Sequence, residues 1–358
     1  MALRWIEGFE LFGDVIGNNN TSKSNLHFGL ATKYVTAGTS TSGSDKPFIV
    51  AGRRGGFAMQ FSTDNNTRFE RDFGSTFNDD TIITGLAVKF ADIGSSAFDF
   101  LTFHDANGQV NGLGIALNGK IKFNDTEATA AEGMLVAGAW YYIELRCRFS
   151  QTVGEYELRV NGVTVLSATG VDTLLGLPGS SPTIIRWQNK QGFTGLGAID
   201  DIYVLDNTGA SNNDFLGLDT VVEGIFPSAD GDLTDWTPSS GSDHYALVDE
   251  PAFSSSDYVE SDAANEKDLY QYEDLVLING SIFGVQVNTI SRVQEPNVVI
   301  DTKNLVKSGT TEEESTFLEA DSESSTTYPS VHEQDPDTAT PWTIASVNSA
   351  QFGVKNEN

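Results

Sequence analysis

The sequence predicts an all-β protein, and three observations predict it. In the run Trp140 to Phe149, residues Ile143, Leu145 and Cys147 point one way while Glu144, Arg146 and Arg148 point the other. Such period-two alternation is the pattern of a half-buried antiparallel strand. The run Gly154 to Leu166 alternates on both sides of Asn161-Gly162, a dipeptide that tolerates the positive φ angles a tight hairpin needs. Finally, 35 glycines and 22 phenylalanines suit frequent turns joining aromatic strands, and no long stretch has helical spacing. The best short helical candidate, Glu266 to Leu275, has no clean apolar face.

The elements follow in order. Trp5 to Glu10 opens the chain as a strand, and Asn18 to Ser22 is a polar turn cluster. Tyr34-Val35 begins another strand before a loop at Thr39 to Lys46. Ala58 to Ser62 is a strand, and Ile82 to Phe90 is apolar enough to be covered on both faces. Phe98 to His104 pairs with Gly112 to Leu117 across Asp105-Ala106-Asn107-Gly108, and Ile121 to Asn124 follows. Thr183 to Trp187 alternates so that Thr183, Ile185 and Trp187 share a face, and Ala198 to Leu205 is a closing strand. Elements spaced like this are those of a sandwich.

Asp206 to Asp214 is the most linker-like stretch, which predicts domains at 1–205 and 219–358 joined by a linker at 206–218. Beyond it the sequence predicts an apolar strand pair, Leu275 to Ile278 and Ile282 to Asn288. Further strands are expected at Asn297 to Ile300 and Ser315 to Glu319, and Trp342 to Val354 reads as a short helix before a last strand.

The Trp-Tyr-Tyr strand, the Asn-Gly hairpin and the final Ile199-Asp200-Asp201-Ile202-Tyr203 strand, in that order, resemble the laminin-G-like, concanavalin-A-like jelly roll. The resemblance implies such a sandwich over about residues 5–205; the strands beyond the linker read by themselves as a second, smaller β-sandwich-like domain. A further resemblance lies downstream. Phe215-Leu216-Gly217, Pro227 to Gly231, Asp235-Trp236-Thr237-Pro238, Tyr245 to Glu250, Asp257-Tyr258-Val259, Phe283 to Val287, Pro341-Trp342-Thr343 and Phe352-Gly353-Val354 resemble, in their order, a stretch of tail or virion proteins of bacteriophages. There it directly follows a laminin-G-like domain. The resemblance implies a structural component of a virion, tail- or capsid-associated, whose partners are other virion proteins, symmetric copies of itself and host-surface glycan. It implies localisation in the virion after synthesis in a host cytoplasm. A free carbohydrate-binding, lectin-like protein is the alternative.

Charge narrows the partners. The net charge is −29, and residues 219–358 carry 27 acidic and 5 basic side chains against 23 and 16 in residues 1–218. Nucleic acid is not an expected partner, because phosphate contacts require Lys and Arg. No segment has the length and apolarity of a membrane span or of a signal-peptide core, so no membrane insertion is expected. The lone Cys147 cannot form a disulfide within the chain and sits at an inward-facing strand position.

The candidate chemistry is sparse. Glycoside hydrolases of the jelly-roll class resemble one another in a Glu-x-Asp-x-x-Glu strand, which this chain lacks. Its nearest match is Asp200 to Asp206, without glutamates, and Glu155-Tyr156-Glu157 lies beside Arg159 on a hairpin. Four histidines, His27, His104, His244 and His332, stand without a nucleophile elbow or zinc spacing. The chain is therefore expected not to be an enzyme and to need no cofactor, with calcium the metal that its loops would suit. Asp105 and Asn107 offer alternating oxygen donors for it, and Asp64-Asn65-Asn66 a second set, yet the hairpin turn made by Asn-Gly is the favoured reading of the first, and the second is read the same way. For a sugar, Trp187, Gln188 and Asn189 combine a ring with two amides, Trp236 and Tyr245 being further platforms. The alternation of Thr183 to Trp187 places the Trp187 ring in the core instead. The acidic run Glu312 to Glu314, with Glu319, Asp321 and Glu323, reads as a solvated loop or edge that blunts strand pairing.

Overall fold

The structure is a computed structural model and describes residues 2–15, 26, 29–34, 47–61, 67–75, 77–93, 96–174, 181–189, 196–250, 254, 256–293, 300–316, 318–320 and 325–357. The polar cluster Asn18 to Ser22, the loop Thr39 to Lys46, His27, Asp64 to Asn66, Asp321 and Glu323 lie outside the described residues, as does most of Asn297 to Ile300. The chain divides into two compact units, Met1–Val222 and Glu223–Asn358.

The first unit is a sandwich of antiparallel sheets. Its strands are β1 (Leu3–Glu7), β2 (Phe48–Ala51), β3 (Phe57–Gln60), β4 (Arg68–Asp72), β5 (Thr81–Phe90), β6 (Phe98–Asp105), β7 (Gly108–Ile115), β8 (Ile121–Phe123), β9 (Thr126–Glu127), β10 (Trp140–Arg148), β11 (Gly154–Val160), β12 (Val163–Val171), β13 (Ile184–Gln188) and β14 (Leu196–Leu205). The larger sheet has the order β12-β11-β10-β5-β14-β3-β2, with β1 also on β14. The smaller sheet runs β4-β13-β6-β7-β8-β9. Strands remote in sequence thus become neighbours, β5 beside β14 and β4 beside β13, the interleaving of a jelly roll.

The core follows from the alternation. Ile143, Leu145 and Cys147 of β10 are buried. At the centre Trp187 stacks on Phe69 with centroids 5.0 Å apart and lies 5.3 Å from Trp5, and Phe61 continues the stack beyond Phe69. Offset and tilted ring pairs add about 0.5–1.5 kcal/mol each beyond the area they bury.

The β11–β12 turn shows local chemistry at work. Asn161 and Gly162 take φ of +49° and +79°, the double positive-φ turn that matches strand twist. The Asn161 side-chain oxygen also accepts the Tyr142 N–H at 2.8 Å. Asn161→Ala is expected to lower stability by about 1–2 kcal/mol, losing both a residue suited to left-handed backbone and a hydrogen bond. Asn161→Gly should recover part of that loss, and urea unfolding of the three proteins measures the difference.

The segment after β14 is not a linker. Gly217 N–H donates to Glu144 at 2.8 Å and Val222 N–H to Asp201 at 2.9 Å. The Phe215 ring is covered by Arg159 at 4.1 Å and by Arg146 at 5.2 Å. Residues 206–222 therefore form a strip over the outer face of the larger sheet, explaining why Glu144 is buried on a strand face read as solvent-facing. Its composition suggested a linker because much of its attachment uses its own backbone groups, bonded to Glu144, Asp201 and Arg53, which leave no apolar signal.

The second unit has a sheet of the order Pro227–Thr234, Lys267–Tyr272, Gln351–Asn356, Ile300–Ser308 and Thr311–Glu314. A separate antiparallel pair, Val285–Ser291 with Thr326–His332, contributes Val287 to a core of Val306, Trp342, Val347 and Phe352. The helix Ile344–Ser349, capped by Thr343, precedes the last strand as expected. Two expectations are corrected. Glu266 to Leu275 holds a strand, its alternating Leu269 buried between sheet neighbours. Leu275 to Ile278 is not a strand: Val276 and Ile278 are exposed, and the partner of Val285–Ser291 comes from Thr326–His332. The run Glu312 to Glu314 is an edge strand whose carboxylates meet Lys267 at 2.7 Å, Lys303 at 2.7 Å and Lys355 at 3.1 Å.

Candidate functional site

The outer face of the smaller sheet gathers the most varied polar chemistry of the first unit. Strand parity assembles it. Arg68 and Glu70 of β4 stand opposite Gln188 and Arg186 of β13, and Arg186 stands opposite Thr102 of β6. The inward neighbours Phe69 and Trp187 enter the core, so these polar side chains share the outward face. On β6 irregular register at Asp99 to Leu101 turns Asp99 outward while Phe98, Phe100 and Leu101 are all buried, the effect of a β-bulge.

Asp99 is the hub of this face. Its carboxylate accepts Lys122 Nζ at 2.6 Å and Gln109 Nε2 at 3.4 Å, and its carbonyl accepts Gln188 Nε2 at 3.2 Å. It reaches Lys122 across Gly112 and Gly114, where an added Cβ would come within 2.7 and 2.5 Å of its carboxylate. The two glycines are therefore the floor over which the charged pair lies. Arg186 Nε donates to Glu70 at 2.5 Å, and Thr102 Oγ1 and His104 Nε2 are 2.9 Å apart. Burial, and next the Arg186 charge, push the His104 imidazole down to about 4, so the ring is neutral at pH 7. Arg68 adds a second guanidinium whose charge also reaches His104. The face offers part-exposed amide, carboxylate, ammonium and guanidinium groups, a set that hydrogen-bonds a polyol, above the buried Thr102 and His104.

A second polar constellation lies elsewhere, against the larger sheet. A bulge in β14 between Asp200 and Tyr203, with Asp201 at φ +50°, turns consecutive aspartates toward the loop between β2 and β3. Asp200 accepts Arg53 N–H at 2.8 Å, and Asp201 accepts Arg53 Nε at 2.9 Å. The Arg53 guanidinium lies 4.6 Å over the Tyr142 ring and donates to the carbonyls of Leu218 and Thr220. Glu10, held by Phe57 N–H at 3.4 Å, completes the group. Burial, reinforced by the Asp200 charge, raises Glu10 to about 9; burial, reinforced by the Asp201 charge, raises Asp200 to about 8. These carboxyls fasten the loop and the covering strip to the sandwich.

The structure separates the residues singled out in the sequence. Trp187 is fully buried in the ring stack and presents no face to a ligand, which corrects its reading as a sugar platform. Asn189 is buried too, its N–H on the Thr67 carbonyl at 2.8 Å. Gln188 alone of the three reaches the polar face. Asp105 and Asn107 form no open calcium cradle: Asp105 Oδ1 accepts the N–H groups of Asn107 at 2.7 Å and Gly108 at 3.1 Å. The carboxylate is engaged by the hairpin turn itself. Among the described residues no group of three or more His, Cys, Asp or Glu side chains is arranged to hold a metal ion. Trp236 is partly buried, its indole N–H on the Glu266 carbonyl at 3.1 Å, and Tyr245 begins a short 3-10 turn. Asp99, Glu70, Lys122 and Arg68 were not anticipated. The alternations Arg68-x-Glu70 and Arg186-x-Gln188 carried a signal for two strands, whereas the bulge at Asp99 left none.

The class these observations define is an all-β protein built on a two-sheet antiparallel sandwich. No protein-family model matches the sequence, and no curated protein matches it. Solved structures similar to it include domain 4 of the extracellular arabinanase of Geobacillus stearothermophilus in complex with arabinotriose, at 14% identity over 48% of this chain and 80% of that one, with a TM-score of 0.34. Another is a carbohydrate esterase of the Shiga toxin-encoding bacteriophage phi24B, at 10% identity over 48% and 89%, with a TM-score of 0.33. A third is tailspike protein 2 of the Escherichia coli O157:H7 bacteriophage CAB120, at 15% identity over 50% and 26%, with a TM-score of 0.34. No residue role is carried over from them.

Proposed function

We propose that the chain is a non-enzymatic structural component of a bacteriophage particle that attaches to host-surface glycan through the outer face of the smaller sheet. The observation that carries the binding part is that face itself, where the part-exposed side chains of Asp99, Lys122, Gln188, Arg186 and Arg68 lie in one layer. Binding rather than turnover is favoured by the state of its carboxylates. Glu70 and Asp99 are both ion-paired, whereas glycoside hydrolysis needs one carboxyl kept neutral as an acid beside a free carboxylate. The carboxyls that burial does keep neutral, Glu10 and Asp200, are fastened to loop backbone at the larger sheet. The particle assignment draws on the order of virion-protein-like motifs along residues 215–354. In a particle, repeated copies turn weak single-site binding into firm attachment.

Immunogold labelling of purified phage particles with antibody against the recombinant chain tests the assignment. Regular label on head, tail or fibres is the expected result. Particles without label, with the antigen on host cells or in the medium, would replace it with the free carbohydrate-binding protein.

A further inference from the structure

We infer that the glycan this face selects is one that carries a carboxylate, and that Arg68 is the residue that receives it. The inference rests on the glycan-binding reading of the face and goes on to the chemical class of the ligand.

The cations of the face are not equivalent. Lys122 is committed to Asp99 at 2.6 Å and Arg186 to Glu70 at 2.5 Å. Arg68 stands on the same face, opposite Gln188, and among the described residues no carboxylate lies within ion-pair distance of it. Its Nε is shut away from solvent and has no hydrogen-bond partner. A buried guanidinium donor left unmade is costly, and here the cost is borne in a protein of net charge −29, where carboxylates are the commonest charged groups. An arginine with no carboxylate partner among the described residues supplies a planar guanidinium that fits a carboxylate by two parallel hydrogen bonds.

The surroundings complete a site for an acidic sugar rather than a bare anion. His104 is neutral and buried beneath the face, so it adds no charge there. Gln188 supplies a part-exposed amide, while the buried Thr102 hydroxyl holds the His104 ring from below. Glu70 and Asp99, though paired, repel anions that bring no hydroxyls to offset the approach. Among the described residues the face thus has one uncommitted positive charge beside hydrogen-bonding groups, which is the pattern a uronic or sialic acid residue presents in reverse. The strongly negative chain disfavours a polyanion such as a nucleic acid or a heavily sulfated polymer, so one carboxylate per sugar unit is the charge the site tolerates.

The test is binding of the full-length chain to a paired glycan panel. Each uronic- or sialic-acid oligosaccharide is set beside its own methyl ester, which keeps the skeleton and removes the charge. Binding is measured by calorimetry at low and high salt. The acid forms are expected to bind at least about tenfold more tightly than their esters, a margin typical of a charge-assisted contact, and to weaken with salt. Arg68→Gln should erase the difference between acid and ester, and Arg68→Lys should retain part of it. Thermal unfolding of both variants close to that of the parent would show that the fold is intact. Equal binding of acids and esters would overturn the inference while leaving glycan attachment standing. Binding of no member of the panel would overturn both.

Discussion

Replacing Trp187 with alanine is expected to lower the stability of the first unit by about 3–5 kcal/mol, the usual cost of deleting a large buried ring. The ring is fully buried and touches Phe69 and Trp5 from two sides. Its removal leaves a cavity where both sheets meet, and neighbouring rings cannot collapse into it without leaving their own partners. Trp187→Phe should cost less, since a smaller ring still stacks on Phe69. Gln188→Ala, one residue along and facing the other way, should change stability by no more than about 1 kcal/mol. Urea unfolding followed by circular dichroism compares the three. Equal midpoints for Trp187→Ala and Gln188→Ala would show that the Trp187 ring is not part of the core. A sugar-binding assay on Trp187→Ala is not informative by itself, because unfolding would abolish binding for any reason.

Alkaline pH should be the second large lever on the same unit. Glu10 is raised from 4.5 to about 9 and Asp200 from 3.8 to about 8, so both are protonated in the folded protein at pH 7 and ionised in the unfolded chain. The folded state then binds more protons than the unfolded one, and stability falls as pH rises. The contribution is complete below about pH 4 and declines across the window between the two sets of values. It is lost once pH passes about 8 for Asp200 and about 9 for Glu10. Each group can contribute a slope of up to about 1.4 kcal/mol per pH unit inside its window. The unit is therefore expected to be more stable at pH 6 than at pH 9. Glu10→Gln with Asp200→Asn, which keep neutral side chains at all pH values, should flatten that dependence. A pH profile of urea midpoints unchanged by the double substitution would remove these carboxyls as its cause. The covering strip should loosen in step, because Asp201, tied to Arg53 and Val222, shares the bulge with Asp200. Hydrogen exchange at residues 216–222 would report it.

Much of the fold was legible in the sequence, and the reason is local. Period-two alternation in Trp140 to Phe149 named the core face of a strand that buries Cys147. The Asn161-Gly162 pair named a turn by the backbone angles it tolerates. Thr183 to Trp187 declared its inward register, which is why the core reading of Trp187 was available beside the ligand reading. The candidate site was less legible. Gln188 was picked for its amide, but Asp99, Glu70, Lys122 and Arg68 come from three separate strands spread over residues 68–123, and nothing local ties them to one another or to Gln188. The linker reading of residues 206–218 failed for a related reason. Apart from Phe215 and Asp214, that strip is held largely through its backbone N–H and carbonyl groups, which every sequence possesses.

The sequence by itself determined the alternations, the turns and the uneven charge, because each depends on neighbours two or three residues away. Only the tertiary structure decided which polar residues share a face. A single bulge at Asp99 reverses the side on which a carboxylate emerges, and another at Asp200 drives two consecutive aspartates under one loop. Bulges arise from the fit between strands that pair at long range, so their consequences belong to the folded sheet.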